Sequence, residues 1–453
     1  MTLSRRELGR LLAGATATAA LGQFVASSAV ADTSSYRAMV GVFLFGGNDA
    51  WNMVVPNDDR YAAYASQRGA SLALKQASLM PLTGTAFGMH PAFAPLQSAW
   101  DEGALSVVLN TGTLFQPLTK TLYQSRPDLR PLNLMSHEDQ QNQWQGMRTR
   151  EVSRNGFMGR VMDKADQTEI PPLVSIAGSQ LALIGDSRSP LILPSTGGIT
   201  RYGYNAASTD ATVKARQAAL DTFADASAFG AVTDLTSRGM SSSYAQAATA
   251  NTIVSATSST VDQYFKNPTT GAVLTSEISK QLLRAARMIE ARNTLGHAKQ
   301  TFFVSQGGYD THANQLTAHN SLYADLAMAL AAFYNAMKAL GVANNVTAFT
   351  MSDFGRVFKG NGSAGSDHAW GSNHLVLGSA LASRKVHGRY PDTTFGGPED
   401  AYNDGRWIPS IAVEEYIGAI ARWYGVSTAD MSYVFPNWST WNGGGRGPVP
   451  LFG

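Results

Sequence analysis

The carboxyl-terminal third of the chain contains acidic and imidazole side chains of the kind that bind metal ions. Five such residues form two short clusters: Asp310 and His312 after a glycine turn, and Asp367, His368 and His374 on a glycine-rich stretch. Carboxylate and imidazole groups are ligands for zinc, manganese and magnesium. Because the chain has no cysteine, thiolate ligands are excluded. The pattern predicts a metal site in which Asp367 is auxiliary and the other four are ligands.

Two further aspartates follow apolar runs that are typical of buried strands. Asp49 comes after the run 37–45 and a glycine turn, and Asp353 comes after the run 345–350. Ligands of open parallel sheets bind beyond the carboxyl ends of the strands. We therefore expect Asp49, Asp310 and Asp353 to share one edge of a sheet as metal ligands. The remaining isolated histidines receive no role: His90, His297, His319 and His387.

Ser136 begins a polar segment, Ser136-His137-Glu138-Asp139, that has two interpretations. A serine followed by acidic residues is typical of a helix N-cap. The free N–H groups at a helix start also bind anions, which favours Ser136 as a catalytic nucleophile. Both interpretations stay open at this point. Four further polar residues are candidates for contact with the substrate: Asn48, Asn52, Tyr309 and Arg356.

The elements that position these residues alternate between strand and helix patterns. Strands are predicted at 37–45, 105–109, 172–177, 301–305 and 345–350, and helices at 276–293 and 322–340. This alternation predicts an α/β fold, with a doubly wound, mainly parallel sheet and helices on both faces. An Ala/Ser/Thr-rich stretch from about 204 to 295 predicts a mostly helical insertion within a single domain, 32–453.

The first 31 residues predict a twin-arginine signal peptide rather than part of the fold. Arg5 and Arg6 precede an Ala-rich apolar run, and Ala29-Val30-Ala31 supplies a cleavage pattern. We expect export in the folded state by the twin-arginine machinery, to the periplasm or beyond, without a stable membrane span. The net charge of +2 carries no long basic run, which argues against a nucleic-acid partner.

Five motifs together resemble the domain-of-unknown-function family 1501. They are Phe45-Gly-Gly-Asn-Asp49, Ser136-His-Glu-Asp-Gln-Gln, Gly307-Gly-Tyr-Asp-Thr-His312, Ser352-Asp-Phe-Gly-Arg356 and Asp367-His-Ala-Trp-Gly-Ser-Asn-His374. Members of this family look like distant relatives of the alkaline phosphatase and sulfatase superfamily. That likeness implies one or two divalent metals at the carboxyl ends of the strands, beside a serine or threonine nucleophile.

Carried over to this chain, the resemblance implies that Asp49 is the first-strand metal ligand and Ser136 the nucleophile. Asp310 with His312 resembles one metal site, and His368 or His374 would supply the final histidine. Phe354 stands where the superfamily has a histidine after Asp353. A second metal would then be one ligand short, unless His137, Asp367 or the remaining histidine replaces it.

We therefore expect an exported metal-dependent hydrolase of phosphate or sulfate esters, acting on a small-molecule or glycan ester. The residues do not distinguish zinc, manganese, magnesium, calcium or iron. One alternative is a non-catalytic metal- or glycan-binding protein of the cell envelope, which Phe354 would explain. Another is a metal-free serine esterase using Ser136, although the chain lacks the Gly-x-Ser-x-Gly elbow of the common hydrolase fold.

Overall fold

The computed structural model describes residues 36–165, 168, 170–201, 205, 207–224, 231–382 and 385–453. The predicted signal peptide, 1–31, lies outside the described residues. No helix in the described part of the chain has the length and apolar character needed to cross a bilayer.

The strands belong to one large and one small sheet. The large sheet contains β1 (Arg37–Leu44), β5 (Leu105–Gly112), β6 (Leu173–Ser175), β7 (Leu191–Ile192), β8 (Lys299–Gln306), β9 (Val346–Ser352), β10 (Ser372–Leu377), β11 (Val386–His387) and β12 (Ile411–Ala412). The small antiparallel sheet contains β2 (Val54–Pro56), β3 (Met80–Pro81) and β4 (Phe87–Met89). The five strands predicted from apolar runs are present, with ends shifted by at most three residues.

The large sheet is mainly parallel, as predicted. Its strand order is β11-β5-β10-β9-β1-β8-β6-β7, with β12 also beside β5. The central strand β1 runs parallel to β8, with Arg37 opposite Lys299, and parallel to β9, with Ala38 opposite Val346. β10 is antiparallel to both of its neighbours, β5 and β9. The carboxyl ends of β1, β8 and β9 consequently meet at one edge.

The α-helices of the described residues are α1 (Ala50–Met53), α2 (Tyr61–Arg68), α3 (Gln97–Asp101), α4 (Lys120–Ser125), α5 (His137–Gly146), α6 (Phe157–Asp163), α7 (Ala211–Ala224), α8 (Ala231–Val254), α9 (Glu277–Glu290), α10 (Gln315–Ala339), α11 (Val413–Tyr424), α12 (Met431–Val434) and α13 (Trp438–Trp441). Short 3₁₀ helices cover Gln76–Ser78, Pro91–Leu96, Pro127–Leu129, Leu181–Leu183 and Thr260–Tyr264.

Two hydrophobic cores lie on opposite faces of the sheet, because successive side chains of a strand point to opposite faces. Val40 and Val42 of β1 belong to one core with α9 and α10. Met39 and Phe43 belong to the other core with α6 and α11. Helices therefore cover both faces, as predicted. α9 lies within the range predicted as an insertion, and its apolar side is part of the first core.

The segment around His374 differs from the prediction. The sequence placed His374 at the end of a glycine-rich loop, but the structure places it inside β10, where it pairs with Val108 of β5. All six residues of β10 are buried. The polar pair Asn373-His374 hid this strand, because it interrupts the apolar pattern of a buried strand. Asn373 can nevertheless be buried, since its side-chain amide accepts a hydrogen bond from the Asn110 N–H and donates one to the Ala50 carbonyl.

Candidate metal centre

Three side chains from distant parts of the sequence converge beyond the strand ends: His137, Asp310 and His368. One donor atom from each lies within 4.8 Å of the other two, so the three can hold a metal ion. The Nε2 atoms of His137 and His368 are 3.1 Å apart. The Asp310 carboxylate lies 3.5 Å from Nε2 of His137 and 3.2 Å from Nε2 of His368. His137 starts α5, whereas the other two lie in the loops after β8 and β9.

The orientation of His137 is set by Asp353. Nδ1 of His137 lies 2.6 Å from Oδ2 of Asp353, whose side chain is completely buried. A carboxylate accepts hydrogen bonds, so Nδ1 carries the proton and the Nε2 lone pair faces Asp310. The hydrogen bond that His137 donates to Asp353 raises the pKa of His137 above its ordinary value. Gln141, one turn along α5, donates to the same Asp353 oxygen at 2.8 Å.

His368 is oriented by a backbone carbonyl. Its Nδ1 lies 3.0 Å from the carbonyl oxygen of Met135 and donates to it, which leaves the Nε2 lone pair directed at the cluster. Burial lowers the pKa of His368. Met135 has a φ of 73°, in the left-handed region that non-glycine residues rarely adopt. Strained backbone of this kind concentrates at functional sites, and here it immediately precedes Ser136 and His137.

Asp310 is held by Arg356. Nη1 of this fully buried arginine lies 3.0 Å from Oδ1 of Asp310 and 3.0 Å from the carbonyl oxygen of Gly46. Partial burial works to raise the pKa of Asp310, but the hydrogen bond and charge of Arg356 outweigh it and the pKa is lowered. Gly46 allows this approach: it has a φ of 114°, and a Cβ there would lie 2.4 Å from the Asp310 nitrogen.

His312 lies on the solvent side of the cluster, with about half of its side chain exposed. Its Nε2 lies 3.0 Å from Oδ1 of Asp310 and 3.2 Å from Nε2 of His368. Its Nδ1 lies 3.1 Å from Oδ1 of Asp367, which orients this ring as Asp353 orients His137. His312 is therefore placed as a fourth donor, and Asp367 supports it from outside.

This donor set fits one divalent metal ion. Each of the three imidazoles uses Nδ1 to donate to a carboxylate or carbonyl, an arrangement that metal-binding histidines share. Their lone pairs and the Asp310 carboxylate are all acceptors, and acceptors this close repel unless a cation or a proton lies between them. Tetrahedral zinc bonds of about 2.0–2.1 Å separate neighbouring ligands by roughly 3.3 Å. Five of the six separations among these four donors are given above, and they match that spacing at 3.0–3.5 Å.

Phe354 packs beneath the two central imidazoles. Its ring centroid lies 4.8 Å from that of His137 and 4.7 Å from that of His368, and the residue is 1% exposed. The position that the resemblance assigns to a histidine is therefore filled by hydrocarbon, which supports the rings without offering a ligand atom.

Three predicted ligands lie outside the donor set. Asp49 is completely buried and forms an ion pair with Arg68, whose side chain is also completely buried. Asp353 contacts His137 from behind, at Nδ1. His374 lies within the second core, 4.8 Å from the Trp144 ring and 5.4 Å from the Tyr416 ring, and burial lowers its pKa to about 3. The strand-end position of the two aspartates was predicted correctly, but the sequence does not determine where their side chains point.

Ser136 occupies the N-cap position of α5, between Met135 and His137, both of which contact the cluster. Its side chain makes no capping hydrogen bond. The sequence left helix capping and catalysis open as alternatives for Ser136, and the structure shows no capping hydrogen bond. The catalytic role of Ser136 stays a prediction.

The polar residues considered as substrate contacts serve the interior instead. Asn48 accepts a hydrogen bond from Tyr323 at 2.6 Å, and Asn52 accepts one from Tyr64 at 2.7 Å. Tyr309 is completely buried, and Arg356 holds Asp310. The residue whose importance the sequence understated is His137, which was only an auxiliary candidate. Its position at the start of a helix, one residue after a candidate nucleophile, was the available signal.

Comparisons with known proteins place the chain in a family. Residues 36–403 match the family described as "Protein of unknown function (DUF1501)". The chain belongs to this family. No curated protein matches the DUF1501 chain. Among solved structures, the lipoteichoic acid synthase LtaP from Listeria monocytogenes is similar at 9% identity, with a TM-score of 0.28, over 81% of this chain and 71% of that one.

Proposed function

We propose that this protein is a hydrolase of phosphate or sulfate esters that depends on a single divalent metal ion. The observation that carries the proposal is the convergence of three imidazole lone pairs and one carboxylate: Nε2 of His137, His312 and His368, with Asp310. Each ring is fixed from behind by its own acceptor, which is how proteins orient metal ligands. We further propose that residues 1–31 direct export and that the substrate is a small-molecule or glycan ester.

A divalent metal bound there would polarise an ester oxygen and lower the pKa of an attacking hydroxyl group or water. The chain itself supplies positioning. α5 begins at the cluster, and the free N–H groups of its first turn form a positive end that binds phosphate or sulfate. Ser136 lies at that helix start, where its oxygen would form the new bond to phosphorus or sulfur as the bond to the alcohol breaks. Its proton would pass to the departing alcohol, and water would then release the phosphate or sulfate from the serine. Phe354 excludes water from the inner side of the cluster.

A second candidate is a non-catalytic metal-binding protein, which Phe354 and the Arg68 ion pair of Asp49 favour. With these two positions lost as ligands, the described residues offer no complete second metal site of the kind the resemblance implies. A metal-free serine esterase has less support. Among the described residues, no hydrogen bond joins the Ser136 side chain to a general base, and His137 directs its lone pair at Asp310.

The test is metal analysis of the purified protein, followed by assays on 4-nitrophenyl phosphate, bis(4-nitrophenyl) phosphate and 4-nitrophenyl sulfate. We expect one metal per chain, and turnover that a chelator abolishes and added metal restores. His368→Ala should lose both properties, whereas His387→Ala, at a histidine in β11 outside the cluster, should keep them. Bound metal without turnover on any substrate would establish the binding protein instead. Turnover that survives chelation would establish the esterase.

A further inference from the structure

A cavity of about 320 Å³ adjoins the chain segment that leads into the metal centre, and none of the metal-site donors lines it. Its lining includes Asn133 and Leu134, which precede Met135 and His137 in the chain. On its other side, the Tyr123 ring lies 5.8 Å from the ring of Trp370, two residues after His368. The cavity therefore neighbours the two chain segments that carry His137 and His368.

The cavity also joins the cluster through an arginine outside its lining. Arg406 lies 4.8 Å from the ring of Tyr402, another lining residue. Its Nε donates to the carbonyl oxygen of His368 at 2.9 Å. Two independent contacts thus connect the cavity wall with the segment that carries His368.

The charge of the cavity is positive. Its nine lining residues include Arg130 and Arg150 and no aspartate or glutamate. Within the described residues, neither arginine forms an ion pair. The field of Arg150 reaches Asp128, but that carboxylate is paired with Arg126 at 2.6 Å. Two guanidinium groups without carboxylate partners in one concave site are suited to an anion.

Arg130 is held in place before any ligand arrives, whereas Arg150 is exposed and has one aromatic contact. Nε of Arg130 donates to the carbonyl oxygen of Tyr123 at 2.6 Å, and the group lies 4.4 Å from the Tyr123 ring. The guanidinium of Arg150 lies 5.3 Å from the ring of Phe115. Groups that are already oriented lose less entropy on binding. Tyr123 and Tyr402 add aromatic walls that suit the body of an organic molecule.

We propose that this cavity binds the alcohol portion of the substrate and that this portion carries a second anionic group, such as a carboxylate. This inference rests on the proposed ester hydrolysis and specifies its substrate class. The ester group lies at the metal centre, the organic body lies between the tyrosines, and the second anion pairs with Arg130 and Arg150.

The experiment compares 4-carboxyphenyl phosphate with phenyl phosphate, and the two corresponding sulfates, on the metal-loaded protein. The test variant is Arg130→Met with Arg150→Met. The matched control is Arg154→Met with Arg216→Met, which removes the same charge from exposed arginines outside the cavity. We expect the test variant to raise KM for the carboxylated ester by about tenfold, the size of a lost charge-assisted hydrogen bond. The KM for the phenyl ester and both kcat values should change less than twofold.

A single-site variant and a calorimetric binding measurement complete the test. Arg150→Met alone, which removes only a ring contact, replaces the double variant if circular dichroism shows that the latter is unfolded. If the wild type hydrolyses none of the esters, the hydrolase proposal fails, and calorimetric binding of the same compounds tests the cavity alone. Equal affinity of the wild type for carboxylated and phenyl esters would overturn the cavity proposal. So would a test variant that binds both as the wild type does.

Discussion

The Nδ1 atom of His137 lies 2.6 Å from Oδ2 of Asp353, and this contact joins the start of α5 to the carboxyl end of β9. Asp353 also accepts a hydrogen bond from the Gly46 nitrogen at 3.2 Å, just after β1. One buried carboxylate therefore fixes a candidate metal ligand relative to two central strands. Because it binds Nδ1, the ring presents Nε2 to the cluster and keeps a single tautomer.

Replacing Asp353 with asparagine should weaken metal binding without removing a ligand. Loss of a carboxylate behind a metal-bound histidine costs about 10- to 100-fold in affinity. Competition with a chromogenic chelator measures the dissociation constant. Asp367→Asn, the equivalent change behind the exposed His312, should have a smaller effect, since that ring is less constrained by its surroundings. An unchanged dissociation constant in Asp353→Asn would refute the assignment of His137 as a ligand.

Metal affinity should fall as the pH falls, with the onset set by His137. A proton competes with the metal for Nε2, and Asp353 raises the pKa of His137 above its ordinary value of 6.5. Affinity should therefore be full well above that raised pKa and should decline as the pH falls through it. In Asp353→Asn the raising cause is gone, so the decline should begin at a lower pH. Titrations at a series of pH values test this, and coinciding profiles would contradict it.

His374→Phe should leave metal binding intact, because His374 lies in the second core between Trp144 and Tyr416. Phenylalanine keeps an aromatic ring there and removes two nitrogen atoms that have no hydrogen-bond partner among the described residues. His368→Ala, in contrast, should abolish stoichiometric binding. Inductively coupled plasma analysis measures the metal content of both variants and tests these two expectations. Loss of metal from His374→Phe would restore the ligand set expected from sequence.

Asp49→Asn should act on stability rather than on the metal centre. The change leaves the guanidinium of Arg68 buried without its charge partner, and breaking such a pair costs about 3–5 kcal/mol. Urea denaturation of the metal-free protein measures the free energy of unfolding. Asp128→Asn, in an exposed pair with Arg126, serves as the control and should cause no measurable change. A wild-type unfolding midpoint combined with lost metal would instead support Asp49 as a ligand.

The sequence predicted the fold better than the direction of its side chains. Parallel strands such as β1 and β8 are buried on both faces, so they appear as continuous apolar runs that are easy to recognise. β10 escaped because Asn373 and His374 interrupt its apolar character. Asp310, His312 and His368 were predicted as ligands because they lie close to other candidate ligands in sequence, on glycine-rich loops.

Other parts of the site depend on contacts that no local pattern contains. The role of His137 requires α5 to begin beside Asp353, a residue 216 positions away. Asp49 was placed at the correct strand end, but its direction depends on Arg68, which α2 places beside it. The Met135 carbonyl can reach and orient His368 because Met135 has a left-handed backbone conformation. Methionine rarely adopts that conformation, so the sequence does not predict it.

The distance between the donors along the chain determines when metal can be acquired. His137 and His368 are 231 residues apart in sequence, and they meet only because α5 and the loop after β9 dock on a finished sheet. An incomplete chain presents isolated side chains of low affinity, so capture must follow folding. Under the proposed metal binding and export, the identity of the ion would be decided by the metal supply of the compartment in which the chain folds.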